Sequence, residues 1–78
     1  MDKNIKSEFV FGEDGDTAIR REYITMVRFD VVHKSIAQDD LYQVFAWAVN
    51  DTNSQGTRLI STENKSLARK LYKNLTGE

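Results

Sequence analysis

Seventy-eight residues with no cysteine and a single histidine suggest one domain with neither disulfides nor a Cys/His metal site to hold it together. Eleven basic against twelve acidic side chains leave a net charge of -1 and a pI near 5.8, which offers no general attraction to phosphate or acidic lipid. A chain this short buries only roughly 60% of the surface its unfolded form exposes, so a well-packed core or a second subunit has to supply the stability.

The whole of 1–78 is expected to be a single domain, with residues 1–4 disordered. "MDKNIKSEF" carries charges at both ends and no apolar core of an export signal. The longest uncharged run, residues 41–50, falls well short of the roughly 18 residues that cross a membrane. The lack of cysteine suits a reducing compartment. A soluble, cytoplasmic protein with no membrane partner is the expectation.

In chain order, "IKSEFVFG" alternates Ile5, Ser7, Phe9 and Phe11 with Lys6, Glu8 and Val10, the period of two of a first strand. "EDGD" follows, where Asp14-Gly15 favours a tight hairpin because both residues tolerate positive φ. Residues 17–35 admit two readings. Tyr23, Thr25, Val27, Phe29 and Val31 form a β-branched and aromatic alternate set, whereas Ile19, Tyr23, Met26 and Val27 fit a helical stripe behind Asp16 or Thr17. The first is favoured, as a long or bulged strand. "IAQDD" is then a loop, and "LYQVFAWAV", residues 41–49, a third strand.

"DTNSQG" is a loop of turn formers and "TRLIST" a short fourth strand. Ser61 and Thr62 can cap a following helix, with Glu63 in its first turn. Leu67, Leu71 and Leu75, beside Ala68 and Tyr72, give that helix an apolar stripe, and Gly77 ends it. The expected fold is α+β: an antiparallel meander of three to four strands with one C-terminal helix packed on one face.

One helix covers one face. The third strand is apolar on both, so the heavier side, Leu41, Phe45, Trp47 and Val49, is assigned to the helix. Tyr42, Val44, Ala46 and Ala48, with Ile24, Met26 and Val32 from the second strand, are left as an exposed apolar patch. Such a patch is the exception on an antiparallel sheet and tends to mark an interaction site. Tyr42, Val44, Ala46, Ala48, Ile24 and Met26 are therefore the candidate protein-binding residues, for a second copy of the chain or a larger protein. A twisted sheet that buries both faces is the competing interpretation. Lys65, Arg69 and Lys73, four apart on the helix, form a secondary basic surface, or a solvated face suited to the negative helix end.

The aromatics admit a second function. Tyr42, Phe45 or Trp47 could stack on unpaired bases while Arg20, Arg21, Arg28 and Arg58 follow the phosphates; an acidic pI and the needs of a packed core weigh against it. In element order, a four-stranded meander followed by a helix resembles the single-strand-binding transcriptional coactivator family, which implies single-strand binding, although no basic motif of that family is present. "LISTENKSLARKLYKNL" resembles the strand-to-helix segment of a small phage-encoded inhibitor of CRISPR nucleases, without the strong acidity of a nucleic-acid mimic.

Catalysis has little to work with. His33 has Asp30 and Ser35 near it in sequence, but neither the spacing of a nucleophile, base and orienter nor a glycine-rich oxyanion loop. "EDGD" lacks the further ligands of a calcium loop. No phosphate loop, zinc spacing or dinucleotide fingerprint occurs. The sequence thus points to a non-enzymatic interaction module or regulator without cofactor or metal, with single-strand nucleic-acid binding as the alternative.

Overall fold

A computed structural model describes residues 9–49 and 56–77. Two short strands, β1 (Phe9–Phe11) and β2 (Ala18–Arg20), form a hairpin. A single 3-10 turn, Arg21–Tyr23, leads into β3 (Ile24–Val32), followed by β4 (Leu41–Ala48), β5 (Thr57–Thr62) and the helix α1 (Lys65–Thr76). The last three strands make an antiparallel sheet in the order β3-β4-β5. The α+β architecture with one C-terminal helix on the sheet is as the sequence suggests. Residues 5–8 of the expected first strand, residues 1–4, and residues 51–55 of the turn-forming loop lie outside the described residues.

The ambiguous segment is extended, not helical, but it is broken. The 3-10 turn ends β2, and a bulge sits between Ile24 and Met26. The extra residue is Thr25, whose hydroxyl donates to the Trp47 carbonyl oxygen at 3.3 Å. A bulge shifts the alternation by one residue, so Ile24 opposes Ala48 while Met26 opposes Trp47. The two apolar side chains therefore point to opposite sides of the sheet.

The β1–β2 loop is wider than a two-residue turn, because Phe11 pairs with Ala18. Its closure is carried by Gly12 N–H donating to the Thr17 carbonyl at 2.7 Å and by the Asp14 carboxylate, which accepts from the backbone N–H groups of Asp16 (2.9 Å) and Thr17 (3.1 Å). Gly15 takes a φ of 80°, the left-handed conformation the Asp-Gly pair favours. The hairpin lies beside β5, where Glu13 N–H donates to the Arg58 carbonyl at 2.9 Å.

The helix starts two to three residues later than Ser61 or Thr62 would start it. Asn64 is the cap, its side-chain oxygen accepting from Leu67 N–H at 3.1 Å, while the Thr62 hydroxyl accepts from Asn64 N–H. Glu63 accordingly stands before the first turn and bridges Lys34 at 3.3 Å. Gly77, at φ 83°, closes the other end as expected. The buried face of α1 is centred on Ala68, with Leu71, Tyr72 and Leu75 packed round it; Leu67 lies on the flank and is half exposed.

The core is small. Val44, Ala46 and Ala68 are fully buried and join Val10 and Leu59 in one cluster, edged by Ile24, Val27, Phe29, Tyr42 and Ile60. The Phe29 ring stands edge-on to Tyr72 of the helix and tilted to Tyr42. These contacts settle the orientation of β4. The helix lies over Tyr42, Val44 and Ala46, not over Leu41, Phe45, Trp47 and Val49, so the expected face assignment is inverted. Small side chains explain it: an alanine on the helix above Val44 and Ala46 lets backbone approach backbone and fill the gap at native density, which bulky Phe45 and Trp47 would prevent.

Candidate functional site

With the face assignment reversed, the candidate docking residues divide. Val44 and Ala46 have no exposed surface, Tyr42 and Ile24 edge the same core, and Ala48, opposite Ile24, shares their side of the sheet. Val44 and Ala46 are core residues of the single chain, with Tyr42 and Ile24 partly buried against them, while Ala48 is half-buried outside that cluster. Met26 alone of the six stands on the other face, 50% exposed.

That other face is built by the strand period. On β4 the residues between the buried ones are Leu41, Gln43, Phe45 and Trp47; β3 contributes Met26, Arg28, Asp30 and Val32, and β5 contributes Arg58 and Ser61. Among the described residues, the one helix packs on the opposite side. The centre of this face is aromatic, with Phe45 and Trp47 both half-buried. The rings of Phe45 and Trp47 lie 6.4 Å apart, centre to centre, and the Arg28 guanidinium sits over both, 5.2 Å from one and 5.3 Å from the other.

The surroundings are polar and balanced in charge. Arg28 bridges Asp30 on its own strand at 2.9 Å, and Arg58 bridges Glu13 of the hairpin loop at 2.6 Å. Gln43 donates to the Ser61 hydroxyl across β4 and β5 at 3.4 Å. Each arginine of this face is thus already matched by a carboxylate. Gly56 fixes the position of Trp47 from below: at φ 76°, a Cβ there would fall 2.6 Å from the indole. The indole can lie flat against the backbone because no side chain intervenes.

The other candidate residues are scattered. Lys65, Arg69 and Lys73 are exposed. They do not form one uniform outward stripe, since Arg69 turns back over the Phe29 ring at 5.0 Å. Arg21 donates to the Asn74 side chain near the C-terminal end of the helix, at 3.0 Å, and Arg20 lies over Phe9 and Tyr23. Neither stands with Phe45 and Trp47 as a phosphate track would require. Tyr42, grouped with those rings by sequence, faces the helix.

His33 and Asp40 pair at 3.0 Å in the exposed loop after β3, beside Lys34 and the fully exposed Ile36. The Asp14 carboxylate is occupied by the turn it closes. The N–H groups of Asp16 and then Thr17 hold its pKa below the ordinary aspartate value. Among the described residues no group of three or more His, Cys, Asp or Glu side chains converges, and no helix is long and apolar enough to cross a membrane.

The aromatic pair was present in the sequence as Phe45 and Trp47, two apart on one strand. Arg28 is among the four arginines expected beside them; which of the four stands over the rings depends on register and not on sequence distance. Compared with known proteins, the chain matches no family model, no curated protein and no solved structure.

Proposed function

We propose that this chain is a non-enzymatic interaction module that docks on a larger protein through the open face of β3-β4-β5, with Phe45, Trp47 and Arg28 as the anchor. The observation that carries this is the arginine lying over two neighbouring rings on the side away from the helix. Aromatic and arginine side chains supply most of the binding energy at protein interfaces, where a desolvated centre is enclosed by a polar rim. Here Asp30, Gln43, Arg58 and Ser61 provide such a rim. Met26, half exposed beside Trp47, adds an adaptable apolar contact. A reducing, cytoplasmic setting is part of the same proposal, in keeping with a chain that has no cysteine.

Single-stranded nucleic acid is the alternative occupant, favoured by two rings on one open sheet face. The charge balance speaks for protein instead. A phosphate track needs free cations, and Arg28 and Arg58 are each matched by a carboxylate.

Trp47 is the sole tryptophan and reports directly on this face. Its emission is expected to stay unchanged on titration with oligothymidylate. A photo-crosslinking residue at position 26 is expected to capture one defined protein in cells, the capture being lost on Arg28→Ala and absent when the probe stands at position 73. Saturable quenching by the oligonucleotide that falls steeply with salt, or capture indifferent to Arg28, would overturn the proposal.

A further inference from the structure

The two edges of the main sheet are treated differently. The outer side of β5 is met by the hairpin, through the Glu13 N–H bond to the Arg58 carbonyl. β3, at the other edge, pairs with β4 alone among the described strands. It is the longest strand, nine residues, and in an antiparallel ladder every second residue of an edge strand turns its N–H and C=O outward. Long edges are normally blunted by proline, lysine, a central bulge or a covering element. β3 contains no proline and no lysine, its two charged side chains, Arg28 and Asp30, bridge each other, and its bulge is confined to its first residues.

The side chains along this edge are self-complementary. About Phe29 the strand reads Met26, Val27, Arg28 on one side and Asp30, Val31, Val32 on the other. If two copies of β3 lie antiparallel with Phe29 on the two-fold axis, Arg28 of each opposes Asp30 of the other, Val27 opposes Val31, and Met26 opposes Val32. Opposite charges and apolar pairs then meet at every position, and cross-strand pairs of both kinds stabilise a sheet. Met26, Val31 and Val32 are all 40% exposed or more in the single chain. The same register lays the loop bearing the exposed Ile36 of one copy beside the 3-10 turn bearing the half-exposed Tyr23 of the other.

We infer that the chain forms a two-fold homodimer through β3, joining two three-stranded sheets into one of six strands with both helices on the same side. Isologous pairing of one strand with itself is a closed contact, so association stops at two. The dimer also places two Arg28, Phe45 and Trp47 clusters on one continuous face. The inference does not depend on the docking proposal, since it rests on the backbone edge of β3 and the test uses the purified chain alone, although Met26, Arg28 and Asp30 take part in both.

The chain has no cysteine, so single introduced thiols are clean reporters of register. Met26→Cys mixed with Val32→Cys is expected to form a disulfide under mild oxidation, while each variant alone stays reduced. In this register two copies of position 26 stand six residues, about 20 Å, apart along the strand, beyond disulfide reach. Sedimentation equilibrium of the unaltered protein is expected to give twice 9.0 kDa. Asp30→Arg should shift it toward monomer, and adding Arg28→Asp to that variant should restore the dimer, because exchanging the two charges preserves their opposition. A monomer throughout the micromolar range, or a disulfide forming as readily in either variant alone as in the mixture, would overturn the inference.

Discussion

The guanidinium of Arg28 lies 5.2 Å from the centre of the Phe45 ring, on the face of the sheet that the helix leaves open. Cation-π contacts at exposed sites contribute about 0.5–1 kcal/mol, and the bridge from Arg28 to Asp30, half exposed, adds at most about 1 kcal/mol. With two such contacts and the bridge, Arg28→Ala should therefore lower stability by no more than about 3 kcal/mol, leave the circular dichroism of the fold intact and alter the emission of Trp47. Chemical denaturation followed at both wavelengths checks this. Global unfolding would show that Arg28 holds the sheet together, against the role given to it here.

Val44 and Ala68 test the corrected face of β4. Both are fully buried, in one cluster. Val44→Ala removes two methyl groups from a packed site and should cost about 1.5–3 kcal/mol. Ala68→Leu inserts bulk where helix and sheet approach closely and should cost about 1–3 kcal/mol. Glu in place of Val44 should prevent folding, since an unpaired buried charge is intolerable. If Val44→Glu folds as well as the parent, the helix does not lie on that side.

Gly56 and Gly15 share a positive φ, 76° and 80°, but differ in their neighbours: a Cβ at Gly56 meets the Trp47 indole at 2.6 Å, whereas nothing lies within 4 Å at Gly15. Gly15→Ala should thus carry only the backbone penalty of about 1–2 kcal/mol. Gly56→Ala carries that penalty and the displacement of the indole, about 2–5 kcal/mol together. Thermal melting of the pair, with Trp47 emission shifted only in the second, is the expected result.

The Asp14 turn has a pH signature. Backbone N–H groups of Asp16 and Thr17 stabilise its ionised form and depress its pKa. A depressed folded-state value means that the stabilisation is present above the ordinary aspartate pKa of about 3.9 and is lost as pH falls through the lower folded value. In an NMR titration the Asp14 carboxyl is expected to titrate below that value, with the Asp16 and Thr17 amides following it. Asp14→Ala should abolish the amide response and loosen the loop at neutral pH.

Much of the fold was legible along the chain. The strands Thr57–Thr62 and Leu41–Ala48, the apolar stripe and closing glycine of the helix, and the extended nature of Ile24–Val32 all follow from local pattern, whereas the cap fell on Asn64 and not on Ser61 or Thr62. The break at Arg21–Tyr23 did not, because a 3-10 turn has no periodicity of its own in three residues. A bulge was among the expectations, but its place at Thr25 was not, and it sends Ile24 and Met26 to opposite sides although strict alternation puts them together. The candidate site suffered most from this. Met26 was grouped with Val44 and Ala46, which are core, and separated from Trp47, which it opposes.

A strand with apolar residues at odd and even positions declares that both of its sides shun water, and sequence alone established that for β4, together with the single helix available to cover it. Which side the helix takes is a question of fit between surfaces that are distant along the chain. Ala68 finds its place over Val44 and Ala46, and the larger Phe45 and Trp47 are turned outward beneath Arg28. Side-chain size at a helix–sheet contact acts through packing density, which exists only once the elements meet, so the tertiary structure alone decided where the open face lies.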